Sequence, residues 1–225
     1  MSNRGVRVCV FIYNPRLFRK FKDIAERFAI EYSVPSSLED LENYDLIVVD
    51  EEARQLLESS NKRLGNRPKI VVVSNEEDVI SLISGIITGS GGSTQYLIVG
   101  VDLGSKIAYA VFADNILISV GISLDPNDFL ATLSKLKRAL KPSRAVIKIG
   151  LPGSDELYQL LLKLLKVAID CGYEAYVIDE SKTTAKPLPR FRGLKNVRTT
   201  KDINAAVNIA LRGGGIKVDY VNSLT

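Results

Sequence analysis

The sequence predicts an α/β protein of two units, a small parallel-sheet domain over residues 1–88 and a larger mixed-sheet domain over residues 96–225, joined by a Gly/Ser linker at 89–95. Three observations predict it. Apolar strand-like runs alternate with amphipathic helical runs through residues 1–88, the pattern of βαβ units. The run TGSGGST at 88–94 has the composition of flexible coil. Beyond it, the runs Ile107–Ala113 and Ile116–Ile122 are separated only by Asp114-Asn115, a turn of the kind tight hairpins prefer, so this half opens as an antiparallel meander.

In the first domain VRVCVFIY at 6–13 is a buried-strand pattern that breaks at Asn14-Pro15. Leu17, Phe18, Phe21, Ile24, Ala25 and Phe28 then recur at helical spacing. An extended piece at 32–34 and a helical turn at 38–41 lead into a strand at 45–49, an acidic helix at 51–62, a strand at 69–73 and a helix at 76–87. These make a small parallel sheet of Rossmann-like or receiver-like form. Asp50 and Ser74 end strands as the functional residues of receiver domains do, yet Asn14 stands where an acidic residue is wanted and no later strand supplies a lysine. No G-x-G-x-x-G opens the first helix. The domain therefore reads as one for contacts, dimerisation or substrate positioning. Its Arg16, Arg19, Lys20 and Lys22 read as a solvated helix face or as a nucleic-acid contact.

The second domain begins with the apolar run YLIVGVDLGS, Tyr96–Ser105, which delivers the carboxylate of Asp102 into a glycine-bearing turn. Two readings of that charge are open: solvation at a strand end, or a bound metal. After the meander, 127–140 is amphipathic with Leu130, Leu133, Leu136 and Leu140 facing inward. A strand at 145–151, a leucine-rich helix at 155–171, a strand at 175–178 ending at Asp179-Glu180 and a last helix at 201–211 follow.

Composition restricts the chemistry. Histidine is absent, which removes Ser-His-Asp and Cys-His catalysis and imidazole metal sites, and leaves carboxylate, lysine and backbone chemistry. Cys9 and Cys171 match no zinc spacing and read as free thiols in a reducing compartment. No run of eighteen apolar residues and no signal-peptide core is present, so a cytoplasmic protein without a membrane segment is expected. The net charge of +4 is unevenly placed, −2 over residues 1–93 and +6 over residues 94–225. The positive half is the one that holds Asp102, which suits a partner made of phosphates.

The order β-β-β-α-β-α-β-α is that of the ribonuclease H-like fold, and four motifs carry a closer resemblance. VGVDLGSKIAYAVFAD, KIGLPGS and DESKTT resemble the corresponding segments of YqgF proteins, and KDINAAVNIAL resembles the closing helix of the RuvC and YqgF branch and the D-x-N-A-A-x-N-I motif of TnpB nucleases. The resemblance covers Tyr96 to about Gly213 and leaves the first domain out. It implies a ribonuclease H-like domain with a carboxylate cluster, Asp102, Glu180 and Asp202, holding Mg²⁺ or Mn²⁺ for two-metal hydrolysis of phosphodiester bonds in DNA or RNA. It also raises a homodimer, since related resolvases are dimers. Against the resolvases, Lys148, Gly150 and Leu151 stand where a further acid is found, and Thr199 stands three residues before the final Asp; the match leans to YqgF. No zinc-binding cysteines of the TnpB kind interrupt the last segment.

Residue patterns bear on each acid. Helical spacing puts Asp202 with Ala205, Ala206 and Ile209 on the face that packs on the sheet; Asp202, three residues after Thr199, could instead complete a capping box. Of Asp179 and Glu180 only one can face the cluster, since neighbours in a strand alternate, and Glu180 is the expected ligand. Asp114 reads as a turn residue. Between Glu180 and Asp202 lie Lys182, Lys186, Arg190, Arg192, Lys195, Arg198 and Lys201 with no acidic residue, and Phe191 between two arginines could stack on an unpaired base. A solubilising loop is the other reading of this run. Two rival functions are a catalytically inactive nucleic-acid binder and an actin-like ATPase, which would need a second D-x-G phosphate turn that the sequence lacks.

Overall fold

A computed structural model describes residues 6–28, 30–60, 68–88, 94–179 and 200–219. The chain divides into two compact units, Met1–Ile83 and Ser84–Thr225. In the first unit β1 (Val8–Phe11), β2 (Tyr32–Ser33), β3 (Leu46–Val49) and β4 (Lys69–Val72) form an all-parallel sheet in the order β2-β1-β3-β4. Helix α1 (Pro15–Arg27) follows β1, α2 (Glu51–Ser59) connects β3 to β4, and α3 (Glu76–Thr88) runs across the division. The expected 38–41 turn is a 3₁₀ helix, Leu38–Asn43, whose Leu41 joins Cys9, Ile47, Val49, Ala53 and Leu57 in the core.

Helix starts in this unit are fixed by side chains. The Asn14 side-chain oxygen accepts from the N–H groups of Arg16 and Leu17, with Pro15 at the first helical position, where a missing N–H costs nothing. Asp50, only 6% exposed, accepts from the Asn14 N–H at 2.7 Å with one carboxylate oxygen and from the Ala53 N–H at 3.0 Å with the other. The strand-end acid that invited comparison with receiver domains thus ties the starts of α1 and α2 together.

The second unit holds β5 (Tyr96–Leu103), β6 (Ile107–Ala113), β7 (Ile116–Ser123), α4 (Pro126–Leu140), β8 (Arg144–Gly150), α5 (Asp155–Asp170), β9 (Glu174–Ile178), α6 (Lys201–Leu211) and β10 (Ile216–Val218). Its sheet order is β10-β9-β8-β5-β6-β7. Within β7-β6-β5-β8-β9 only β6 runs against the others, the arrangement of a ribonuclease H-like sheet. The hairpin between β6 and β7 turns at Asp114 and Asn115, with φ of 47° and 68°, as a two-residue turn of the I′ kind requires. Asp114 also accepts from the Gln95 and Tyr96 N–H groups, which holds the start of β5. The expected linker falls at 89–93 outside the described residues, whereas Thr94 is buried and the carbonyls of Thr94 and Gln95 accept from Ser143 and Arg144.

Helix α4 covers one face of this sheet, where Phe129 packs against Tyr109, and α5 lies beside it. Phe129, Leu133, Leu136, Ala139 and Leu140 are its buried residues; Leu130, expected inside, is only half-buried, and Phe129 beside it is fully buried instead. Helix α6 covers the other face, where Ala206, Val207 and Ala210 pack with Ala108, Ala110, Phe112 and Leu117. A Cβ at Gly100 would overlap the Ala206 carbonyl oxygen and the Ala210 amide nitrogen, so α6 rests directly on the backbone of β5. The sequence pattern did not indicate β10, a three-residue strand antiparallel to β9 that follows three glycines. Among the described residues no helix is long and apolar enough to cross a membrane.

Because the atoms opposing a Cβ at Gly100 are backbone, they cannot rotate away. Gly100→Ala is expected to destabilise the protein by about 3 kcal/mol. Urea unfolding with an unchanged slope and a lowered midpoint is the check; an unaltered midpoint would contradict the close approach.

Candidate active site

Two consequences follow from the seat of α6 on Gly100. Asp102 lies two residues further along β5, on the same face and about 7 Å away. Asp202 lies one helical turn before Ala206, about 6 Å along α6. Both carboxylates are thereby carried to one end of the helix–strand contact, where Asp102 ionises less readily than usual. Burial is the larger cause and the charge of Asp202 the second, while Lys201 acts in the opposite sense. Asp102 is half-buried; Asp202 is exposed at the rim, with Ala206 and Ile209 of the same helix buried beneath.

The start of α6 leaves Asp202 free of capping. Thr200 is the N-cap, its hydroxyl accepting from the Ile203 N–H at 3.3 Å, so Asp202 sits one position too early for a capping box. That alternative reading of Asp202 is corrected by one residue of register.

At the other end of α6 stands Lys148, one of the residues found where resolvases carry an acid. It is the β8 partner of Gly100 in the sheet, and its Nζ donates to the carbonyl oxygens of Ala210 at 2.9 Å and Arg212 at 2.5 Å. A cation here satisfies the last carbonyls of the helix and complements its dipole. Burial lowers its pKa. The Arg212 guanidinium in turn donates to the Asp179 carbonyl oxygen, fixing the chain beyond α6 to the end of β9. Sequence reading treated Lys148 as a missing acid and overlooked this anchoring role; the available signal was a lysine inside an otherwise apolar strand, AVIKIG.

Among the described residues two of the three expected acids come together, and no group of three or more potential ligands is found. Glu180, Lys182, Lys186, Arg190, Phe191, Arg192, Lys195 and Arg198 lie outside the described residues. Lys201 is described: it is exposed and close enough to Asp102 to act on its charge. Asp179 is exposed at the end of β9. Also unforeseen was Asn204, whose buried side-chain oxygen has no hydrogen-bond partner among the described residues.

No family model matches the chain. No curated protein matches it either. Among solved structures, Thermus thermophilus RuvC in complex with a Holliday junction substrate is similar at 15% identity and a TM-score of 0.37, over 51% of this chain and 90% of that one. A second Thermus thermophilus RuvC structure is similar at 14% identity and a TM-score of 0.38, with the same coverage. The fold assignment rests on the strand order and the direction of β6.

The Asp102 carboxyl holds its proton more tightly in the folded chain than its ordinary value of 3.8 allows, so its ionisation costs stability as pH rises through the window above 3.8. Asp102→Asn is therefore expected to raise stability at neutral pH, with the gain vanishing below that value. Asp202→Asn is expected to bring the Asp102 titration, followed by carboxyl carbon NMR, down toward normal. A titration unmoved by that substitution would show that the two groups do not interact.

Proposed function

We propose that this protein is a divalent-metal-dependent nuclease that hydrolyses phosphodiester bonds of nucleic acid at the Asp102–Asp202 site. The observation that carries this reading is the nearness of the Asp202 charge to Asp102 at the end of the central strand, where burial first and that charge second oppose ionisation of Asp102. A bound divalent cation would remove that penalty. The donor set fits one: carboxylate oxygens suit Mg²⁺ or Mn²⁺, and a chain without histidine offers no imidazole ligand.

Asp102 and Asp202 would hold the metal, with Glu180 as the third ligand that the sequence motif supplies. When bound, such ions supply a water acidic enough to attack at neutral pH and neutralise charge on the phosphate. The chain's own residues do the rest. Gly100 and Lys148 would hold α6 so that Asp202 stays near Asp102, and Lys201 would offer a cation next to the pair for a phosphate oxygen. The basic run from Lys182 to Arg198 would grip the backbone in a salt-dependent way. A domain division at 1–88, 89–95 and 96–225 would leave the first unit to position substrate or to mediate assembly.

A second reading, a nucleic-acid binder without turnover, is favoured by one observation: Lys148, at a position where resolvases place an acid, is committed to the end of α6. Calorimetric titration with Mn²⁺ separates the two, because the binder has no metal site.

Cleavage of single-stranded or structured DNA and RNA is expected to require Mg²⁺ or Mn²⁺ and to fall by roughly 100-fold or more in Asp102→Asn and in Asp202→Asn. Activity against a broad substrate panel that survives both substitutions would overturn the assignment.

A further inference from the structure

The sheet pairing places more than the carboxylates on the face that α6 partly covers. Asp102 of β5 pairs with Ala108 of β6, which pairs with Ile122 of β7, and side chains of directly opposed residues share a face. Two strand spacings put Ile122 about 10 Å from Asp102 across the sheet. One step back along β7 on this face, Val120 is half-buried against the cluster beneath α6. Toward the Asp102 end the cover stops: Ala108 is still fully buried, but Ile122 is 40% exposed and Leu124, just past the strand end, is 79% exposed.

Single exposed apolar residues are ordinary, but these two lie only two positions apart in the chain, and Ile122 shares a sheet row with Asp102. The run from Ile116 to Leu124 contains no charged residue, so the surface offers nothing to a phosphate. It lies within a segment, residues 94–225, whose net charge of +6 suits a polyanion. A closed duplex presents phosphates and sugars outward and keeps its base faces stacked inside. An unpaired nucleotide has a bare base face to bury, and such contacts tolerate any sequence.

We propose that Ile122 and Leu124 form an apolar shelf that receives an unpaired base next to the bond cut at Asp102, so that the substrate is single-stranded or locally unpaired nucleic acid. The inference rests on the nuclease reading above and names its substrate class. The shelf binds the base and takes no part in the chemistry, so its loss appears in KM and leaves kcat intact.

The test uses the full chain and the double variant Ile122→Thr/Leu124→Ser, with Leu124→Ser alone as a second variant. Both positions are solvent-exposed, and threonine keeps the β-branching of strand β7. Fluorescence anisotropy is read with a single-stranded DNA oligonucleotide, its RNA counterpart and a blunt duplex of equal length, and cleavage is measured in Mn²⁺. The expected result is a wild-type preference for the single strands, weakened about tenfold in the double variant and about threefold in Leu124→Ser, with duplex affinity and kcat unchanged. Equal loss on duplex and single strand, no loss on either, or a change from dimer to monomer in the variant would overturn the shelf, the last by showing that a second copy covers it. Single-strand preference lost in the variant while the wild type cuts nothing would overturn the nuclease reading alone. Absence of binding to every oligonucleotide would overturn both.

Discussion

The contact between α6 and the bare backbone of β5 at Gly100 governs the second unit. Any side chain there would meet the Ala206 carbonyl and the Ala210 amide, so only glycine lets the helix lie this close. Small residues repeat the same logic on both sides: Ala206 and Ala210 on the helix, Ala108 and Ala110 on β6. The result is a helix seated at one depth and one register, with little freedom to slide. Asp202 inherits its position from that seating, and Asp102 inherits its own from the strand beneath.

The two ends of α6 are handled by opposite electrostatics. At its C-terminal end Lys148 and Arg212 satisfy carbonyl oxygens and hold the following chain to β9. At its N-terminal end Asp202 stands near enough to Asp102 for its charge, second to burial, to oppose ionisation of Asp102. Favourable anchoring at one end keeps an unfavourable charge pair together at the other, an arrangement that costs stability unless a cation joins it. In the first unit the strand-end acid Asp50 has each of its oxygens bonded to a backbone N–H of a helix start. Asp50 is thus a structural carboxylate, whereas Asp102 is one whose ionisation is opposed by burial and by the charge of Asp202.

Much of the fold was legible because its signals are local. Asp114-Asn115 announced the hairpin through turn chemistry, and the helical spacing of apolar residues located α6 to the residue. Periodicity put Asp202 on the face of Ala206 and Ile209; those two are buried, while Asp202 in the first turn is exposed. What could not be read depends on distant pairing. Gly100 looked like one small residue in an apolar run, and only the arrival of α6 over a hundred residues later gives it a reason. Lys148 looked like the absence of an acid, since its partners are carbonyls at Ala210 and Arg212 that have no sequence signature. The capping role considered for Asp202 failed by one position because Thr200, rather than Thr199, begins the helix. Strand β10 carried too few residues for a periodicity to register.

The account stands on the claim that the seat at Gly100 gathers Asp102 and Asp202 into a site for a divalent cation. The most direct measurement is the anomalous scattering of Mn²⁺ soaked into crystals of the protein. The account expects a strong peak within ligand distance of both carboxylates, about 2.2 Å for a hard cation of this size, and its disappearance in Asp102→Asn. Carboxylates found apart, or a map with no metal between them at saturating Mn²⁺, would contradict it.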